Sequence, residues 1–119
     1  MDQKIQNFKE LRIWQAGINI VKSVYNVTKS FPKEETYGLV SQLRRSAVSI
    51  PSNIAEGFKR NHNKEFKQFL YIAMGSAAEL ETQLIISQEL DFINKNQLQM
   101  ICSEIEQWNR MTHTLIQKL

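Results

Sequence analysis

The chain has 119 residues, of which 42% are hydrophobic and 23% are charged, and its net charge is +3. These values are typical of one soluble globular domain that can bury its own core. The first residues, MDQKIQNFKE, lack the apolar core of a signal peptide, and no apolar run is long enough to cross a bilayer. We therefore expect a single domain over residues 1–119, with residues 1–7 loosely held and no membrane partner.

Cys102 is the only cysteine. A single thiol excludes an intrachain disulfide and a cysteine metal cluster. It fits a reducing compartment, so we expect the protein in the cytoplasm.

Charge is unevenly distributed along the chain. Residues 1–60 contain ten Lys and Arg and five Asp and Glu, whereas residues 61–119 contain five and seven. This asymmetry indicates an anionic partner for one face of the protein, and the alternative is an accident of composition.

The first predicted helix has apolar residues at helical spacing in two neighbouring stripes. One stripe consists of Leu11, Trp14, Ile18, Val21, Tyr25 and Thr28, and the other of Ile13, Gly17, Ile20, Val24, Val27 and Phe31. Together they form a wide apolar face. Pro32 ends this helix, because the residue before a proline avoids the helical region.

The second predicted helix runs from about Glu34 to Arg60 and is apolar on two sides. Pro51 has no N–H to donate to the carbonyl of Ala47, so the helix either breaks or kinks there. We predict a kink, because only an unbroken helix matches the length of the third segment. We expect the hydroxyls of Ser46 and Ser49 to bond the freed carbonyls.

The third helix is predicted to begin after RNHN, with Asn61 or Asn63 as its cap, and to end near Asp91. The fourth opens with Asn94 and Gln97, which have the spacing of a capping box. All connections are short, which forces consecutive helices antiparallel. The sequence thus predicts an all-α fold, an antiparallel up-down-up-down four-helix bundle with helix two kinked at a proline.

A line of polar residues follows the second helix and continues on the third. We call it the polar seam, and it consists of Gln42, Ser46, Ser49, Asn53, Glu56, Ser76 and Glu79. A hairpin turning near Asn61 would place Ser46 opposite Ser76 and Glu79 within a turn of Arg44 and Arg45. We predict an ion pair there, in a network with Gln42 and Ser76. The polar seam either fixes helix register or forms a ligand site.

Residue patterns of enzymes are lacking. The two histidines lie on different segments, no Glu-x-x-His pair is present, and the four glycines are dispersed. We therefore expect no enzymatic activity, no catalytic or metal-binding residues and no cofactor.

Three stretches together resemble a known family. They are FKELRIWQAG, FPKEETYGLVSQLRRSAVSIPSNIAEGFKR and KEFKQFLYIAMGSAAELETQL, within residues 8–90. They are similar to the four-helix-bundle proteins encoded in 23S ribosomal RNA intervening sequences, a family that also includes the accessory variability proteins of diversity-generating retroelements. The resemblance implies a ring-like homopentamer without known catalysis. It also implies binding of RNA or DNA and, in the retroelement branch, a reverse transcriptase as partner.

Two hypotheses about function follow. The first is a non-enzymatic, oligomeric nucleic-acid-binding protein, and the second is a structural scaffold or protein-interaction module that binds no nucleic acid. Excess apolar surface on the first two helices favours an oligomer. The basic residues in or near the hairpin of helices two and three are the candidate nucleic-acid contacts: Arg44, Arg45, Lys59, Arg60, Lys64 and Lys67. We expect salt-sensitive binding to the phosphate backbone. Few aromatic residues are expected to be exposed, which favours duplex or structured RNA over single strands. The alternative is that these side chains only solvate a turn.

Overall fold

The computed structural model describes residues 4–119. Its helices are α1, Arg12–Thr28; α2, Leu39–Lys59; α3, Asn63–Glu89; and α4, Lys95–Lys118. Two short 3-10 helices, Phe8–Glu10 and Lys33–Glu35, precede α1 and α2, and residues 4–119 contain no β-strand. The predicted all-α class with four helices is confirmed. Within this part of the chain, no helix combines the length and the apolar character needed to cross a membrane.

The segment of residues 1–7 was expected to be loosely held. Residues 1–3 of that segment lie outside the described part of the chain. In the remainder, Asn7 Oδ1 accepts a hydrogen bond of 2.9 Å from the amide of Lys9 and caps the first 3-10 helix.

Each α-helix packs against two others, α2 against α1 and α3, and α4 against α1 and α3. The side-chain hydrogen bonds of α2 with α3, and those of α1 with α4, join residues in opposite chain order. Ser46 bonds Gln83 whereas Ser49 bonds Ser76, and Glu104 bonds Ser23 whereas Trp108 bonds Ile13. The end of α2 and the beginning of α3 therefore meet at one end of the bundle.

Helix α1 buries one of its two apolar stripes and half-buries most of the other. The stripe from Ile13 to Phe31 is buried at every position. Trp108 of α4 donates its indole N–H to the carbonyl of Ile13 at 3.0 Å, and both side chains are buried. The apolar face that the sequence predicts for α1 is thus the face that packs into the core.

Helix α2 begins at Leu39, so the predicted start near Glu34 is wrong. Residues 36–38 form a turn, and Gly38 has φ −108° and ψ −109°, outside the helical region. Glycine loses the most backbone entropy in a helix, which favours a start just after it. Glu35 stabilises this start, since its Oε1 accepts a hydrogen bond from the amide of Leu39 at 3.4 Å.

Pro51 lies inside α2, which continues through it to Lys59. The kink at this position stays a prediction. The expectation that Ser46 and Ser49 bond freed backbone carbonyls is wrong, because both hydroxyls bond side chains of α3 instead. Pro51 is buried and faces α1, where a Cβ at Gly17 would lie 3.4 Å from the proline Cδ.

The cap of α3 also differs from the prediction. His62 is the N-cap residue and makes no side-chain capping bond, and Asn63 is the first helical residue. Asn61 has φ 64°, a left-handed conformation that asparagine tolerates better than most residues. Asn61 thus turns the chain after α2 rather than capping α3.

Helix α4 begins as predicted. Asn94 Oδ1 accepts from the amide of Gln97 at 2.8 Å, and Gln97 Oε1 accepts from the amide of Asn94 at 2.9 Å. This reciprocal pair is a capping box, so the prediction is confirmed.

Candidate nucleic-acid interface

Four of the six predicted basic contacts lie at the connection of α2 and α3. This group, the tip cluster, consists of Lys59, Arg60, Lys64 and Lys67. Arg60 is already engaged, since its guanidinium lies 3.2 Å from Glu56 Oε2 and 3.9 Å from Glu65 Oε1. Two carboxylates thus offset part of the positive charge that the sequence indicates at this end.

The other two predicted contacts, Arg44 and Arg45, lie far from the tip cluster. They precede Arg60 by 16 and 15 residues in the same helical segment. At about 1.5 Å per residue, this corresponds to roughly 22–24 Å along the helix axis. The structure therefore divides the six basic residues into two separate groups.

Arg44 is half-buried and held in place between α1 and α2. Its Nε donates to Thr28 Oγ1 at 3.0 Å, and its guanidinium carbon lies 4.4 Å from the centre of the Tyr25 ring. Thr28 is itself buried and donates its hydroxyl to the carbonyl of Val24 at 2.8 Å. Among residues 4–119, neither Arg44 nor Arg45 forms an ion pair. Arg44 is thus a positioned cation without a carboxylate partner in the described chain.

Both arginines line a groove of about 600 Å³ along α2. We call it the arginine groove, and the side chains that characterise it are Tyr25, Tyr37, Arg44, Arg45, Val48 and Ser49. None of its lining residues is acidic. Tyr37, in the turn before α2, is 96% exposed. The groove therefore combines aromatic surface with positive charge.

The tyrosines of this groove were not among the contacts predicted from the sequence. Only three aromatic side chains of residues 4–119 are exposed, which agrees with the expectation of few, and two of them line this groove. Tyr37 and Tyr71 are 96% and 57% exposed, and Tyr25 is 39% exposed. Tyr25 falls on an apolar stripe of α1, which suggested core packing. Tyr37 lies outside every apolar stripe of the predicted helices, and this was the one feature of the sequence that indicated an exposed ring.

Hydrogen bonds connect the central members of the polar seam. The hydroxyls of Ser49 and Ser76 lie 2.8 Å apart, and the amide of Asn53 donates to Ser49 Oγ at 2.9 Å. Ser46 donates to Gln83 Oε1 at 3.0 Å, and both of these residues are buried. Gln42 and Glu56 are exposed. The inner part of the polar seam is therefore a bonded layer between α2 and α3.

The predicted register of this hairpin is wrong by about one helical turn, since Ser49 rather than Ser46 lies opposite Ser76. The position of the turn was taken as the anchor. Helices α2 and α3 also approach each other closely at Gly57, where a Cβ would lie 2.5 Å from Phe69 Cβ.

The predicted ion pair of Glu79 with Arg44 or Arg45 does not form within the described residues. Arg44 reaches across to α1 instead, and Glu79 is exposed. Glu79 and Arg45 line a common cavity of about 580 Å³ between α2 and α3. They are therefore close to each other, but the predicted network is not formed.

Two titratable groups on other faces have shifted pKa values. Partial burial raises the pKa of Glu104, and the hydrogen bond from Ser23 at 2.9 Å opposes this shift. Burial raises the pKa of the Cys102 thiol, and the charge of Glu81 adds to the effect. Over residues 4–119, no three His, Cys, Asp or Glu side chains are grouped so that they could hold a metal ion.

Comparison with known proteins gives matches at the level of family and fold. No curated protein matches the chain in sequence. A crystal structure of a protein of unknown function from the S23 ribosomal protein family of Bacteroides thetaiotaomicron superposes with a TM-score of 0.80. That structure is 23% identical, and the match covers 87% of this chain and 97% of the other, so it shows a common fold.

The family model described as 23S rRNA-intervening sequence protein matches residues 9–114, which include all four helices except the last residues of α4. On the extent of that match, the chain belongs to the 23S rRNA-intervening sequence protein family.

Proposed function

We propose that this protein is a non-enzymatic, oligomeric nucleic-acid-binding protein. The observation that carries the proposal is Arg44, a half-buried cation fixed by Thr28 and Tyr25 without an acidic partner in residues 4–119. Arginine is the usual residue for phosphate recognition, and a guanidinium that is already oriented loses less entropy on binding. The S23 ribosomal name of the structural neighbour and the 23S rRNA name of the family favour RNA as the first ligand to test.

The wider charge distribution supports an anionic partner on the side of α2. Between residues 68 and 94 the chain has no Lys or Arg, whereas α2 and the beginning of α3 contain both basic groups. Sequence-independent contacts to phosphates depend on such groups and weaken steeply with salt. In an oligomer, each group would be repeated by symmetry.

Oligomerisation is supported by exposed apolar side chains, more of which lie on α3 than on the first two helices. Tyr71, Ile72, Ile85 and Ile86 are 57%, 52%, 44% and 43% exposed. Exposed apolar side chains grouped at two places along one helix favour a protein interface. Five subunits is the number that the family resemblance implies. Light scattering of the purified protein should give a mass several times that of one chain, and a monomer at all concentrations would contradict this part of the proposal.

The nucleic-acid part is tested by fluorescence anisotropy with labelled RNA and DNA at several salt concentrations. Affinity should fall as salt rises, with a log–log slope of about −0.7 to −0.9 per phosphate contact. Changing all four residues of the tip cluster to glutamate, or changing Arg45 to glutamate, should each weaken binding without altering the oligomer. A matched control changes Lys95 and Lys118, at the two ends of α4, to glutamate and should bind as wild type.

A scaffold without nucleic-acid binding is the second candidate. It is favoured by the ion pairs of Arg60 with Glu56 and Glu65, which leave less free charge at the bundle end. If correctly assembled wild-type protein binds neither RNA nor DNA at low salt, the scaffold replaces the first proposal. Both candidates are consistent with a reducing, cytoplasmic setting for the single thiol.

A further inference from the structure

We infer that the arginine groove binds an unpaired nucleotide of a single-stranded nucleic acid, with the base against Tyr37 and the adjoining phosphate at Arg44 and Arg45. The inference rests on the proposed nucleic-acid binding and deepens it, because it names the form of nucleic acid and the residues that distinguish it.

The exposed ring of Tyr37 is the feature that favours binding of a base. Its side chain is 96% exposed, and no aromatic ring of residues 4–119 packs against it. An aromatic ring left in water beside two arginines provides a surface on which any base can stack. Val48, which is 40% exposed in the same groove, adds apolar surface.

The two arginines of the groove are the feature that favours binding of a phosphate. Arg44 is held by Thr28 at 3.0 Å and by the Tyr25 ring at 4.4 Å, which leaves its terminal nitrogens oriented before a ligand arrives. Arg45 is exposed on the next position of the helix and can adapt to the ligand. The acidic residue closest in sequence to Tyr37 is Glu35, and its carboxylate accepts a hydrogen bond from the amide of Leu39. Glu79 of α3 lines the neighbouring cavity together with Tyr37 and Arg45, and it forms no ion pair with Arg45 in the described residues.

The dimensions and chemistry of the groove favour an unpaired nucleotide over a duplex. A volume of about 600 Å³ lies in the range of sites for small ligands. In a helical duplex the bases are stacked on one another, so that Tyr37 would meet only sugar and phosphate. Only an unpaired base can use the aromatic and the cationic parts of the groove together.

The test compares a labelled oligouridylate, a labelled oligodeoxythymidylate and a labelled RNA duplex of the same length, each with full-length protein. Wild type should bind the single strands more tightly than the duplex. Tyr37→Ala should weaken single-strand binding roughly 5- to 150-fold, the range that corresponds to loss of one stacked base, and leave duplex binding unchanged. Tyr37→Phe should restore the affinity, and Met100→Ala, on α4, is the control for loss of an exposed apolar side chain elsewhere.

Arg45→Ala gives a second, independent measurement. It should reduce the magnitude of the salt slope for the single strands by about 0.7, which corresponds to one phosphate contact. Circular dichroism and light scattering confirm that each variant keeps its fold and its assembly.

The outcomes separate this inference from the proposed function. Binding of neither single strand nor duplex by wild type would overturn both. Equal affinity of wild type for single strand and duplex, unchanged in Tyr37→Ala, would overturn the inference and leave the proposed function intact. Loss of the oligomer in Tyr37→Ala would show that this surface joins two copies of the chain, which would also overturn the inference.

Discussion

Gly57 of α2 lies directly against Phe69 of α3. A Cβ at Gly57 would be 2.5 Å from Phe69 Cβ and 3.1 Å from Phe66 Cδ1. Because Phe69 Cβ is fixed by its own backbone, it cannot move away without shifting α3. The two helices therefore lie close together near the tip of their hairpin.

We expect Gly57→Ala to reduce the free energy of unfolding by about 1–3 kcal/mol, because the added methyl overpacks the α2–α3 contact. The matched control is Gly75→Ala, at an exposed position of α3 where a Cβ meets nothing within 4 Å. That variant should gain up to about 1 kcal/mol from helix propensity alone. Urea denaturation of both variants measures the difference, and equal stabilities would contradict the packing argument.

Two buried threonines should respond oppositely to replacement by valine. Within the described residues, Thr112 Oγ1 is buried without a hydrogen-bond partner, so Thr112→Val removes an unsatisfied group and should stabilise by about 1 kcal/mol. Thr28 Oγ1 donates to Val24 and accepts from Arg44, so Thr28→Val should destabilise by about 1–3 kcal/mol. Thermal unfolding measures the melting temperature of each variant. A shift of both melting temperatures in the same direction would contradict this account.

Replacement of Glu79 by alanine should leave stability within about 0.5 kcal/mol of wild type, because Glu79 is exposed and has no ion pair in the described chain. Ser46→Ala should be more damaging. It leaves the buried Gln83 Oε1 without the hydrogen bond of 3.0 Å that Ser46 donates, at a cost of about 1–3 kcal/mol. Urea denaturation measures both variants. A large loss of stability in Glu79→Ala would contradict this expectation and support the buried network that the sequence predicted.

The raised pKa of Glu104 makes stability depend on pH. A carboxyl whose pKa is higher in the folded state favours folding when protonated, and this contribution is lost as pH rises through the folded-state pKa. Glu104→Gln keeps an acceptor for Ser23 but cannot ionise. The variant should therefore gain stability relative to wild type as pH rises from mildly acidic to neutral. Melting temperatures over that range provide the measurement, and a constant difference would contradict it.

Cys102 should react slowly with a thiol reagent such as dithionitrobenzoate. Burial raises its pKa, and the charge of Glu81 raises it further, so less of the reactive thiolate is present than in a free thiol. Reduced glutathione at the same pH is the reference, and protein unfolded in urea should react at a similar rate to it. A folded protein that reacts as fast as glutathione would show that the thiol is neither shielded nor shifted.

Periodicity within single helices was determined by the sequence. The 3-4 spacing of apolar residues predicted four helices and no strand, and the pair Asn94 and Gln97 located the beginning of α4. These features depend on residues within a turn or two of one another. Local spacing and capping chemistry are enough to specify them.

The register of one helix against another, and the face that each presents to its neighbour, were decided only by the tertiary structure. Gly57 of α2 packs against Phe69 of α3, and Ser49 rather than Ser46 lies opposite Ser76. Arg44 contacts Thr28 and Tyr25 on α1 rather than Glu79 on α3. Which face of α2 meets which neighbour depends on how closely two backbones approach, and that distance is set by side-chain volumes at contacts far apart in the chain. The candidate site therefore emerged from packing, although each of its residues was visible in the sequence.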